Sequence, residues 1–150
     1  MKQIIKVAAL IVFLSFCFFG SSSLADSKGI IKYRQNVMES TAGHMGAIVD
    51  ILKNDLPLQA HILDHARSIQ QNSKMTLAMF PKGTGLGNTK AKSAIWGNWS
   101  KFESAVQDFE RESAKLAKVA ESGGMEALAK QVRATGKTCG GCHRNFRKRD

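Results

Sequence analysis

Near the end of this 150-residue chain, Cys139-Gly140-Gly141-Cys142-His143 places two thiols and an imidazole within one short segment. C-x-x-C-H is the spacing of covalent c-type haem attachment. On a helix, residues three and four apart share a face, so Cys139, Cys142 and His143 fall within one turn. Two sulfurs so placed can bond the two vinyl groups of a porphyrin while the imidazole approaches its iron. Gly140 and Gly141 keep the intervening backbone clear for the ring edge. Other chemistries fit less well. A structural zinc site needs four ligands, and the remaining histidines, His44, His61 and His65, are scattered. A thioredoxin-like pair follows a strand, and none precedes this one. A plain Cys139–Cys142 disulfide leaves His143 unexplained.

The start of the chain bears on the state of these thiols. Met1 to Lys6 carries two lysines and no acid, Val7 to Gly20 is uncharged and mostly apolar, and Ser21-Ser22-Ser23-Leu24-Ala25 follows. This pattern predicts a cleavable secretory signal over residues 1–25, with Ala25–Asp26 as the scissile bond. The apolar run is shorter than the ~20 residues of a spanning helix, so no stable membrane insertion is expected. Lipoprotein processing at Cys17 is disfavoured by the bulky Phe16 before it. Cleavage removes Cys17, and export from the cytoplasm leaves Cys139 and Cys142 in an oxidising compartment where free thiols rarely persist. They must be bonded to something.

Composition frames this chemistry. At 43% hydrophobic and 23% charged residues with two prolines, the chain reads as one globular domain, residues 26–150. Three cysteines exclude a dense disulfide scaffold. No glycine-rich fingerprint follows a strand-like run, which argues against a nucleotide-binding α/β enzyme. Formal charge is +10, but without aromatic interleaving or a recognition motif no nucleic-acid partner is expected. No nucleophile, base or substrate cleft is legible, so enzymatic turnover is not expected.

Strand signals are scarce and helical periodicity is strong. From Lys28 to about Asn54, Ile31, Arg34, Met38, Thr41, Met45, Ile48 and Leu52 recur at intervals of three and four. A second, less regular helix is expected from Leu58 to about Ala78, with Ile62, His65, Ile69 and Met79 near its inner side. The third seam reads Ile95, Trp99, Phe102, Val106, Phe109, Ser113, Leu116 and Ala120. The fourth reads Met125, Leu128, Val132, Thr135, Cys139, Cys142 and Phe146. Pro57, Pro81 with the glycine-rich segment from Lys82 to Asn88, and Gly123-Gly124 separate them. The expectation is an all-α, antiparallel up-down-up-down four-helix bundle with both thiols on its seam.

These features together resemble the class II cytochromes c, the family of cytochrome c prime and its low-spin relatives. The likeness spans residues 28–150. It is carried by Tyr33-Arg34-Gln35 with Met38 three residues on, Gly43-His44-Met45-Gly46, Phe80-Pro81 with the glycine-rich loop, Ile95-Trp96, and C-x-x-C-H followed by Phe146-Arg147. Attachment close to the end of the chain is the most specific of these, since class I members place it near the beginning. The resemblance implies a bundle with one covalent haem c, exported to the periplasm and often paired as a homodimer through its first two helices.

Within that resemblance, His143 fills one axial position and Met38, five residues after Tyr33, lies over the opposite face. Thioether ligation there gives a low-spin, six-coordinate iron suited to electron transfer. Met38 acting as packing instead leaves a five-coordinate, high-spin iron that binds nitric oxide or other small gases. The expectation from sequence is the electron carrier, with the gas binder as its alternative. Arg34, one turn before Met38, is costly on a seam unless paired, and haem propionates are suited partners; snorkelling at the bundle end is the other reading. Gln35 resembles the family's other propionate-side contact. Met45 reads as core, and Phe80 and Trp96 fit either pocket or core, with core favoured for Trp96. His61 and His65 have ligand spacing but no third ligand. Arg144, Arg147, Lys148 and Arg149 form a basic cluster, with Arg147 resembling a proximal-side arginine. That cluster suits an acidic redox partner protein or is a solvated helix end.

Overall fold

The computed structural model describes residues 22–122 and 124–149. Residues 1–21, which hold most of the expected leader and Cys17, lie outside them, as does Gly123. Helix α1 spans Ser22–Lys53, α2 Ile62–Lys74, the short α3 Ala94–Gly97, α4 Trp99–Ser122 and α5 Met125–Phe146. The four long helices form the expected antiparallel bundle. Helix α1 packs on α2, α2 on α4 and α4 on α5, whereas α1 and α5 touch only sparingly. None of these helices is long and apolar enough to cross a membrane.

Local chemistry explains where the helices depart from expectation. Helix α1 stops where Asp55 turns left-handed at φ 48° and the Leu56 N–H returns to the Ile51 carbonyl at 3.1 Å, a helix-closing turn. The second helix, expected over Leu58–Ala78, is regular only over Ile62–Lys74, between 3-10 turns at Gln59–His61 and Leu77–Met79. Its exit tightens because Ser73 Oγ donates to the Gln70 carbonyl at 2.8 Å and Thr76 Oγ1 to the Asn72 carbonyl at 3.2 Å, competing with the helical ladder. The third is split: Gly97 closes α3, and Asn98 takes φ −142° and ψ 62° before α4 starts. That break leaves Trp99, an expected seam residue, 39% exposed, and Met125 at the mouth of α5 is likewise 42% exposed.

The core divides in two. One cluster joins Ile48 and Ile51 of α1 to Ile62 and Ile69 of α2, Phe109 and Leu116 of α4, and Leu128 and Val132 of α5. The other gathers Met79, Phe80, Ile95, Phe102, Val106 and Phe146, with Phe102 edge-on to both Phe80 and Phe146. Between helices α2 and α4, Ser113 Oγ lies 2.9 Å from Ser73 Oγ, which can accept from it; both residues are fully buried, and the Glu110 and Gln70 carbonyls give each hydroxyl a second partner.

On the outer α1–α2 seam, His44 and His65 meet Nδ1 to Nδ1 at 2.9 Å. The ring centroids lie 5.2 Å apart, close to the most that this gap and two ring radii allow, so the shared proton points almost straight from ring to ring. One imidazole must donate and the other accept. Protonating both replaces the bond with repulsion. Burial, and then the charge of His65, hold His44 below the usual imidazole pKa.

Two outcomes follow for stability. Leu116 is fully buried, so Leu116→Ala should cost about 2–5 kcal/mol, read as a lower urea midpoint. For His44, the unfolded chain binds a proton more readily than the native one. Stability therefore falls as pH drops through the ordinary imidazole range and levels off below the folded pKa. Urea midpoints taken across that range should fall less steeply for His44→Leu than for the parent; equal slopes would sink the assignment.

Candidate haem site

Helix α5 is held against α4 just ahead of the cysteine motif. Thr135, fully buried, donates through Oγ1 to the Glu112 carbonyl at 3.2 Å. Gln131 Nε2 donates to the same carbonyl at 3.0 Å and to Glu112 Oε2 at 2.8 Å. The bond from Lys115, and then the Gln131 bond to Oε2, hold the Glu112 carboxyl below its usual pKa. One turn on, Cys139 and Cys142 present free, half-buried thiols, unpaired with each other. Cys139 packs against the first core cluster and Cys142 against the second. The pair thus stands where the core divides. Burial raises the pKa of both thiols, Cys142 to about 11 with help from the Cys139 charge. Each is a neutral thiol at pH 7, a weak nucleophile.

His143 follows, its ring reaching solvent on one side. Protein crowding on its other side, and then Arg147, lower its pKa, so the imidazole is neutral at pH 7, the form a metal requires. The end of α5 is tied down beyond it. Arg147 N–H donates to the His143 carbonyl at 3.0 Å, Lys92 N–H to the Phe146 carbonyl at 2.9 Å, and Lys148 N–H to the Lys90 carbonyl at 2.7 Å, alongside an isolated bridge between Ala91 and Arg147.

Across the bundle, Met38 is half-buried on α1 and packs against the Phe80–Phe102–Phe146 cluster that also receives Cys142. Arg34, one turn earlier, is only 4% exposed, which rules out snorkelling. Its guanidinium lies 4.5 Å from the Phe80 ring centre and donates four hydrogen bonds to the following segment. Nη1 reaches the Met79 carbonyl and Thr84 Oγ1, both at 3.2 Å. Nη2 reaches the Thr84 carbonyl at 3.1 Å and Thr89 Oγ1 at 2.7 Å. Burial lowers its pKa, yet a guanidinium keeps its proton. Gln35 Nε2 donates to the Asn88 carbonyl at 3.0 Å.

The segment itself is shaped by glycines and Trp96. Gly87 sits at φ 85°, open to glycine at no steric cost. At Gly85 an added Cβ would lie 2.6 Å from Trp96 Cζ3. The same indole donates to the Phe80 and Pro81 carbonyls at 3.1 and 3.2 Å, so Trp96 clamps the loop while Phe80 is core. Sequence reasoning missed Thr84 and Thr89 as partners of Arg34. The available signal was a seam arginine with no acid at helical spacing and two threonines inside a glycine-rich loop.

The residues present fit haem c. A flat cofactor needs apolar walls, two thiols on one of them and a neutral imidazole, and the sparse α1–α5 seam between two core clusters offers all three. At Gly140 and Gly141 an added Cβ would meet nothing within 4 Å, so packing within the chain does not call for glycine there. A cleft of about 430 Å³ opens between α4 and α5 beside Cys142, lined in part by Lys101, Asp108, Lys137 and Arg144. By contrast, no three His, Cys, Asp or Glu side chains among the described residues converge to hold a bare metal ion.

Comparison with known proteins agrees with this geometry. The family described as Cytochrome C' matches residues 29–147. The chain belongs to that family. It is 34% identical to cytochrome c' of Rhodospirillum rubrum over 98% of this chain and 99% of the relative. The solved cytochrome c prime of Shewanella frigidimarina superposes with a TM-score of 0.78 at 29% identity, covering 82% of this chain and 97% of that one. A nitric oxide complex of a cytochrome c prime variant from Alcaligenes xylosoxidans does so at 0.77 and 27%, covering 83% and 97%. As a cytochrome c' family member, the chain carries covalently attached haem c.

Attachment can be checked directly. Cys139→Ala and Cys142→Ala should each keep one thioether and still stain for haem after denaturing electrophoresis. The double variant should lose the stain, and its persistence would exclude these two sulfurs.

Proposed function

We propose that this cytochrome c' is a periplasmic, monohaem gas-binding protein, with Cys139 and Cys142 as thioether attachments and His143 as the axial ligand. Residues 1–25 are its cleaved export signal and residues 26–150 the working domain. The sequence alone favoured an electron carrier with Met38 as second axial ligand. Two considerations move the weight to the gas-binding alternative. The lesser one is that Met38 has packing partners in the apolar cluster around Phe80 and Phe102, a role suited to methionine's adaptable side chain. The other is a relative solved with nitric oxide bound. When bound, haem would supply the iron chemistry that captures small gases, held by Cys139, Cys142 and His143. Met38 would then act as an apolar guard of the site from α1.

Arg34 and Gln35 mark the propionate side. Arg34 keeps a full positive charge among neutral partners, so a carboxylate nearby is favoured even with its N–H groups engaged. Arg144, Arg147, Lys148 and Arg149 are exposed around His143, and with Lys101 and Lys137 of the adjoining cleft they suit an acidic redox partner that sets the iron's oxidation state. The exposed Val49 and Leu58 add apolar surface to the α1–α2 side through which a homodimer would form. No substrate turnover is assigned.

The absorption spectrum of the oxidised protein decides. High-spin features without a methionine-to-iron charge-transfer band are expected, and Met38→Ala should preserve them while speeding nitric oxide binding several-fold. A charge-transfer band that vanishes in Met38→Ala would instead establish the electron carrier.

A further inference from the structure

Helices α1 and α5 face each other with Met38 on one and His143 on the other, yet they touch only sparingly. Their own packing therefore does little to set the distance between them. The other three sides of the bundle relate the two helices at a distance, and a more direct path of hydrogen bonds and short backbone steps runs from wall to wall. It starts at Arg34, which shares a helix face with Met38 one turn on. Arg34 Nη2 donates to Thr89 Oγ1 at 2.7 Å, and the same oxygen accepts the Ala91 N–H at 3.1 Å. Ala91 lies opposite Arg147 without bonding it, and the Arg147 N–H bonds the His143 carbonyl at 3.0 Å. Lys90 and Lys92 fasten the same segment to Lys148 and Phe146. At the near end, the Leu77–Met79 turn packs on α1, with Met79 and Thr84 taking the other Arg34 donors.

We propose that Arg34 is a positioning residue: through Thr89 and the 77–92 segment it straps α1 to the end of α5 and so fixes how closely Met38 stands over the face opposite His143. The inference rests on the haem reading above and goes beyond it, because the strap acts through protein bonds and not through a propionate. Neutral acceptors at fixed angles suit that task. Two carbonyls and two hydroxyls hold a guanidinium in one orientation, where apolar contacts alone would let α1 slide. Directional hydrogen bonds to a charged donor are also the strong ones.

Thr89 separates the strap from a propionate contact, since Thr89→Val removes one acceptor in the strap and leaves Arg34 its charge. The test compares haem-loaded parent with Arg34→Lys, Thr89→Val and, as a stability control in the distant cluster, Leu116→Ala. Carbon monoxide association with the reduced protein is followed by flash photolysis, and exchange of the Lys92 and Lys148 amides, which bond the segment to the end of α5, by hydrogen–deuterium mass spectrometry. Arg34→Lys and Thr89→Val should both speed carbon monoxide association at least threefold and raise exchange at those amides about tenfold, while Leu116→Ala changes the association rate little. A silent Thr89→Val beside an altered Arg34→Lys would overturn the strap in favour of a propionate role. Equal acceleration in all three variants would overturn it as plain loss of stability. Colourless preparations would remove the haem reading instead, and unchanged amide exchange in them would then remove the strap as well.

Discussion

Two walls of this bundle bear the residues that would meet the iron, and those two walls scarcely pack on each other. Most four-helix bundles close every side with interdigitating apolar residues, so that each interhelical distance follows from side-chain volume. Here three sides close that way and the fourth is held apart. The core divides lengthwise into two clusters, Phe109 and Leu116 of α4 falling in one with Cys139 against it, and Phe102 and Val106 in the other with Cys142 against it. A protein that buried its whole interior against itself would leave nowhere for a flat cofactor to stand. The open seam is thus what makes α5's thiols useful, and it obliges the chain to fix α1 by other means.

Those means are polar. Thr135, Gln131 and Glu112 anchor α5 to α4 ahead of the cysteines, and Arg34 anchors α1 to the glycine-rich segment. Thr135 and Arg34 are buried and Gln131 and Glu112 half-buried, where an unmet donor costs more than a met one gains. Their value lies less in net stability than in excluding alternatives: a one-residue slip of α1 would leave the Arg34 donors facing apolar surface. Apolar clusters hold the fold together, and the buried hydrogen bonds choose its register.

How much of this was legible follows from the range of each interaction. Cys139, Cys142 and His143 are neighbours in sequence, and helical spacing alone puts them on one turn. The bundle was equally legible, because core positions repeat every three or four residues along each long helix. Contacts made by loops and between helix surfaces were not. His44 and His65 lie 21 residues apart on different helices, and neither occupies a position that announces the other. Arg34 finds its acceptors 45 to 55 residues away, two of them backbone carbonyls, which every residue possesses and no sequence pattern marks. The split at Asn98 escaped notice for a related reason: the apolar repeat runs through Ile95, Trp99 and Phe102 unbroken, while Gly97 and Asn98 decide the backbone locally.

The same distinction bears on the choice between ligating and guarding. A thioether bonded to iron and a thioether packed near it occupy nearly the same place, separated by about the difference between a coordinate bond and a van der Waals contact. Residue identity at position 38 cannot express so small a difference, since methionine accommodates both. What can express it is the height at which α1 is held above α5. That height is a property of the whole frame: Phe80 under the guanidinium, Trp96 clamping the loop over Gly85, Thr89 joining Arg34 to Ala91, and Ala91 joined in turn to the end of α5. A family that keeps its ligands and its bundle can still move between electron transfer and gas binding by altering such a frame, without touching any residue that meets the metal.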